Sequence, residues 1–286
     1  MKLVEFAVAT RLAGYAEGPV FLQSGGVAFV QIDRGVVSRL DEDVVTLADL
    51  GGGPNGAVEA ADGRLLIAQN GGARPGSPRA GVAAGIQVVG QDGGVSTLTT
   101  DMTSPNDLAI GPDGHLYVTD PVRKPERDEG RILRVDLATG RTTVLAEVDW
   151  YPNGIGFSSD DTLLYVADTR HGRIVTYDLS DGGLSHERTF AQMPRCVPDG
   201  FAFDVEGNLL VAGLGLDVCP SELQVWSPDG GLSAVLSPPV PSTHLTNVAI
   251  DPGGRMVVTD SSHGQILTAQ WPSAGLALHP FRDASG

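Results

Sequence analysis

The chain has 286 residues, 35 of them acidic and 19 Lys or Arg, for a formal charge of −16. That balance argues against nucleic acid, whose phosphates call for clustered cations, and no run of about 18 apolar residues is present to span a membrane. With 38 Gly, 19 Pro and two Cys, the composition is that of a turn-rich, all-β chain with no disulfide framework.

Charged and apolar residues are spread evenly and no polar or proline-rich linker interrupts them, so residues 1–286 read as one domain. The opening Met1-Lys2-Leu3-Val4-Glu5-Phe6 lacks the long apolar stretch of a signal peptide, and the expectation is a soluble, cytoplasmic protein. Val4, Phe6 and Val8 alternate as in a strand. Six related segments follow: EGPVFLQSGGVAFVQ (17–31), PNGAVEAADGRLLIAQN (54–70), PNDLAIGPDGHLYVTD (105–120), PNGIGFSSDDTLLYVAD (152–168), PDGFAFDVEGNLLVAG (198–213) and TNVAIDPGGRMVVTD (246–260).

Each segment reads as two strands around a tight turn, and a second hairpin such as RILRVDLATGRTTVL (131–145) follows. Two hairpins per repeat make a four-stranded antiparallel blade, and six repeats make a six-bladed β-propeller. An open ring would expose a sheet edge, so residues 2–9 are predicted to supply the outer strand of the last blade, beside strands near 247–281.

The first strand of each blade lines the central channel, so equal positions in it converge near the axis. Those positions are Glu17, Asn55, Asn106, Asn153, Asp199 and Asn247. Asn or Asp before Gly can be a turn former through its side chain, which accounts for 55, 153 and 199 but not for Glu17. Converging oxygen donors with about two negative charges suit a hard divalent cation such as Ca²⁺, Mg²⁺ or Mn²⁺. The second strands return to the same face at Gln69-Asn70, Thr119-Asp120, Asp168-Thr169, Gly213 and Asp260-Ser261, and loops 70–85 and 120–130 would wall a pocket there.

Glu17-Gly18-Pro19, Ser104-Pro105-Asn106-Asp107 with Thr119-Asp120-Pro121, Pro152-Asn153-Gly154 and Pro198-Asp199-Gly200 together resemble the gluconolactonase and regucalcin (senescence marker protein) family, in its bacterial lactonase branch. The resemblance implies that Glu17, Asn153 and Asp199 hold one divalent metal, with Ca²⁺ first and Zn²⁺, Mg²⁺ or Mn²⁺ as alternatives. It implies that Asp199 doubles as general base and that Asn106 contacts substrate; Asp120 is expected beside it. The implied reaction is hydrolysis of a lactone, typically a sugar lactone, to a hydroxy acid. Other metal-dependent reactions (phosphotriester hydrolysis, a lyase or isomerase step) and a non-catalytic Ca²⁺-binding propeller stay open. Strictosidine-synthase-like propellers share the fold but lack this metal set.

Ser104 stands where the animal branch carries an Arg for sugar hydroxyls, and Arg74, Arg79, Arg123 or Arg195 are the candidate substitutes. His115, His171 and His186 read as surface residues, and His244 as one that could approach the pocket. Trp150 and Tyr151 read as pocket wall or as a contact between blades, Cys196 and Cys219 as free thiols, and Asn55 and Asn247 as turn formers. The expected partner is a small-molecule substrate, with the protein a monomer or homodimer.

Overall fold

Alternating apolar residues and paired turn glycines give every repeat the same local outcome, two hairpins laid side by side. In the computed structural model, which describes residues 4–11, 14–73, 81–122, 129–180, 183–215, 219–242 and 244–282, these form six four-stranded antiparallel sheets. The sheets are arranged as the blades of a six-bladed β-propeller. The innermost strands of blades 1 to 6 are Ala16–Phe21, Pro54–Glu59, Leu108–Ile110, Pro152–Phe157, Cys196–Phe203 and Leu245–Ile250. Each contacts the innermost strands of its two neighbours, and blade 6 meets blade 1. No helix among the described residues is long and apolar enough to cross a membrane.

The turn inside each first hairpin sits on the lower face and takes a left-handed backbone, supplied by glycine as at Gly63 (φ 77°) and Gly114 (φ 76°) and in blade 4 by Asp161 (φ 59°). The core is divided among the seams between blades. Val58, Leu66, Ile86 and Val88 of blade 2 pack against Leu108, Ile110, Leu116 and Leu133 of blade 3, and the other seams repeat the arrangement. Burial falls outward: Leu65–Gln69 is buried throughout, whereas Val95–Thr99 at the rim of the same blade is largely open.

The ring closes as expected, with a shifted boundary. The closing strand is Ala7–Arg11, paired antiparallel with Gln265–Gln270 from Ala7↔Thr268 to Arg11↔Gln265. Val4 and Phe6 precede it and pack on the blade 5–6 core instead, while residues 2 and 3 lie outside the described residues. Blade 6 ends at Gln270, short of the expected 281. The segment beyond it crosses the lower face, where Trp271 Nε1 donates to Asp204 (2.9 Å) and Arg282 bonds the Ser158 carbonyl (2.8 Å) of blade 4. That segment bonds polar partners across the lower face rather than adding a strand.

Candidate functional site

At the upper end of the inner strands the ladder is interrupted in the same place in five blades. Register shifts fall between Glu17 and Val20, Pro54 and Gly56, Pro152 and Ile155, Pro198 and Phe201, and Leu245 and Asn247. A bulge bends the strand and re-aims the side chain it carries. Asn55, Asn153 and Asp199 fall within the shift and Glu17 immediately before it, all at the upper end of their inner strands, and in blade 3 Asn106 takes the same place just before its strand. In blade 6 that place belongs to Thr246, flanked by the pairs Leu245↔Asp260 and Asn247↔Thr259. The expectation of Asn247 in the ring was one residue out of register.

All of these side chains are buried, with Glu17 at 4% and Asp199 at 6% exposure. Asn153 has its amide nitrogen committed to Thr169 Oγ1 (3.0 Å), which itself donates to the Pro198 carbonyl (2.7 Å). This orientation leaves the Asn153 Oδ1 as the atom for another partner. Thr119 Oγ1 fixes the strand beneath by donating to the Asn153 carbonyl (2.7 Å). Glu17 Oε2 accepts from the Gly18 amide at 3.1 Å. Two carboxylates and an amide oxygen are hard oxygen donors of the kind a divalent cation takes. Among the described residues no cluster of three or more His, Cys, Asp or Glu side chains competes as a metal centre.

Asn55 is not a turn former. Its amide nitrogen donates to Asn106 Oδ1 in a short contact, and it accepts from Asn70 Nδ2 (3.4 Å). Asn106 Nδ2 in turn donates to the Tyr151 hydroxyl (3.4 Å). The row Asn70, Asn55, Asn106, Tyr151 crosses three blades and, among the described residues, leaves one Asn106 N–H to donate. Tyr151 thus reaches the site, whereas Trp150, 1% exposed, belongs to the blade 3–4 core.

Asp120, expected to touch substrate, lies beneath the site with no exposure. Its oxygens accept from the Thr103 and Ser104 amides (3.0 and 2.7 Å) and from Arg131 (2.5 Å). It holds the Ser104-Pro105-Asn106 turn in place. Asp168 repeats the device with Arg173 and His171 (both 2.8 Å), and Asp260 with Ser242, His263 and Gln265. In blade 5 the charges are exchanged: Gly213 replaces the carboxylate, and Glu222 on the next strand pairs with Arg195 (2.5 Å). Arg195 is therefore engaged, and Arg74, Arg79 and Arg123 lie outside the described residues, as do residues 74–80 and 123–128 of the two expected loops.

His115 contacts the Asp113 carbonyl in its turn, and His186 on the outer strand bonds the Asp178 carboxylate of the strand beside it, as expected of surface residues. His244 stacks edge-on against Tyr15, two residues before Glu17, with ring centroids 5.9 Å apart. Cys196 and Cys219 are free, and burial, with the nearby Glu222 charge, pushes the Cys196 thiol up to about 12.

One level below the anchors the ring reads Gly18, Gly56, Asp107, Gly154, Gly200 and Asn247. Asp107 and Asn247 come from opposite blades, and their side chains meet near the axis. The glycines leave room for them: a Cβ on Gly56 would fall 2.8 Å from Asp107 Oδ1, and one on Gly200 would fall 2.1 Å from Asn247 Cγ. This bridge across the axis has no local sequence signal, since it depends on which blades face each other.

Burial raises Asp107 from 3.8 to about 6, against the opposing bonds from the Leu108 amide, the Asn247 side chain and the Ile155 amide. With the native pKa above the unfolded one, the folded state binds the extra proton between 3.8 and about 6, and stability falls as pH rises through that window. Asp107→Asn removes this contribution. Denaturant unfolding at pH 5 and pH 8 should show the wild type losing stability relative to the variant at the higher pH.

The family profile described as the SMP-30/Gluconolactonase/LRE-like region matches residues 15–262. Among curated proteins, the chain is 31% identical over 157 residues to a strictosidine-synthase-like protein of Arabidopsis thaliana, covering 49% of this chain and 38% of the relative. It is 29% identical over 182 residues to a gluconolactonase of Zymomonas mobilis, covering 57% of this chain and 49% of the relative. The chain thus spans less than half the length of either. Among solved structures, a gluconolactonase from Xanthomonas campestris superposes with a TM-score of 0.79 at 25% identity, covering 94% of this chain and 90% of that one.

Proposed function

The chain belongs to the SMP-30/Gluconolactonase/LRE-like family, and from that footing we propose that it is a metal-dependent lactonase opening a small cyclic ester to a hydroxy acid. The observation that carries the reading is that Glu17, Asn153 and Asp199 are buried at equal places of their inner strands, each at a register shift. Likeness to gluconolactonases in sequence and in structure supports it.

Glu17, Asn153 and Asp199 would hold the ion, the two carboxylates balancing a divalent charge while the Asn153 oxygen adds a neutral donor. Bound there, the ion would polarise the ester carbonyl and stabilise the charge that develops on its oxygen. Asp199 takes the proton of the attacking water at its carboxylate. Asn106, oriented by Asn55 and Tyr151, offers its remaining N–H to the substrate. Asp120 keeps that turn in register from below.

Similarity to a strictosidine-synthase-like protein favours a second reading, in which the same scaffold carries a different small-molecule reaction. The two choices separate at the metal. Calorimetric titration of Ca²⁺ should show one site in the wild type and weakening of at least about tenfold in Glu17→Gln, the loss expected when a charged ligand is removed. Absence of divalent binding in the wild type would favour the second reading.

A further inference from the structure

Below the Asp107–Asn247 bridge the channel widens into a chamber of about 490 Å³ that opens on the lower face. Its walls are largely apolar and include Leu108, Ile110, Phe157, Phe201, Phe203 and Ile250. That volume lies in the range of small-molecule pockets, which are mostly apolar with a few convergent polar groups. The polar groups at its closed end are those of the bridge, and both Asp107 and Asn247 line the space.

Among the described residues no cation stands beside Asp107. Its partners are the Leu108 amide, the Ile155 amide and the Asn247 side chain, all neutral. An ionised carboxylate has about four acceptor sites, and three are taken. A buried charge without an opposite charge is costly, and the raised affinity of Asp107 for a proton has the same origin.

The cationic side chains at the mouth do not supply the missing charge. Arg255 pairs with Asp251 (3.3 Å) and lies over the Phe21 ring, and Arg282 and His279 both bond Asp161. The wall also carries Glu59, which accepts from the Gln23 amide (2.8 Å), and Asp251, which pairs with Arg255. A chamber with largely apolar walls, Asp107 at its closed end, carboxylates in its wall and engaged cations at its rim has the charge pattern of a cation site. The net charge of −16 adds long-range attraction of the same sign.

We propose that this lower chamber is a second small-molecule site, separate from the upper one, that binds an apolar molecule carrying a primary amine, with the ammonium group on Asp107 and the apolar body among the inner-strand side chains. The bridge divides the two sites, so the lower ligand neither enters nor needs the chemistry of the upper face.

A matched series tests it: 4-phenylbutylamine, 4-phenylbutan-1-ol and 4-phenylbutanoate, titrated calorimetrically at pH 8 and low salt. The amine should bind at least about tenfold more tightly than the alcohol, as expected for a charge-assisted bond, and the carboxylate should not bind. Asp107→Asn should bring the amine to the level of the alcohol, and Ala249→Phe, in the chamber wall, should weaken both. Glu17→Gln should leave amine binding unchanged. Equal affinity for amine and alcohol in the wild type overturns the proposal, whether or not Asp107→Asn folds. So does an amine preference that survives Asp107→Asn, is indifferent to Ala249→Phe, or disappears in Glu17→Gln.

Discussion

Asp199→Asn is expected to lower lactone hydrolysis by about 10²- to 10⁴-fold, the usual contribution of a general base, while the protein still binds a divalent ion. Asn keeps an oxygen at the bulge of blade 5, where the Pro198 carbonyl is held by Thr169 and the register shift fixes the direction of the side chain. It carries no basic oxygen, so the proton of the attacking water has no acceptor. The ion-binding and hydrolytic roles of Asp199 therefore come apart in this variant. Calorimetry and initial rates on one preparation read both. Unchanged turnover with the ion bound would remove Asp199 from the chemistry.

Asp120→Ala should cost about 3 kcal/mol of stability, the lower end for breaking a buried ion pair, and should also reduce turnover. The side chain has no exposure and carries the Thr103 and Ser104 amides together with the Arg131 guanidinium. Removing it orphans two backbone donors beside a half-buried cation, and the residues they anchor lead directly into Asn106. Urea unfolding reads the first effect. A fall in kcat measured on the folded fraction reads the second. A variant with wild-type stability would show that Ser104-Pro105-Asn106 is held by something other than Asp120.

The repeat made the propeller legible, because its spacing and its Asp-Gly and Gly-Gly turns recur with little variation from 17 to 260. The equal places of Glu17, Asn106, Asn153 and Asp199 were legible for the same reason: the repeat sets them, beside a register shift in blades 1, 4 and 5 and just before the inner strand in blade 3. The ring failed to read at blade 6, where Thr246 and Asn247 are both polar and only the ladder register shows which of them occupies the bulge. Asp120 misled in another way. A carboxylate at the end of a second strand does return to the site's face, but the Arg131 that claims it is on a third strand. Asn55 looked like a turn residue because Asn-Gly is a turn signal, yet its partner Asn106 lies on the neighbouring blade. Asp107 and Asn247 meet only because blades 3 and 6 stand opposite each other, a property of the closed ring rather than of either segment.

Hydrolysis should depend on an ion held by Glu17, Asn153 and Asp199, and a pH-indicator assay reads that dependence. Aldonic, aliphatic and aromatic lactones are presented to the purified protein as prepared, after chelation, and after divalent ions are restored. At least one lactone should be opened, the activity should vanish on chelation, and it should return with Ca²⁺, Mg²⁺, Mn²⁺ or Zn²⁺. Hydrolysis that persists after complete chelation, or a protein with its ion bound that opens none of these lactones, would contradict it.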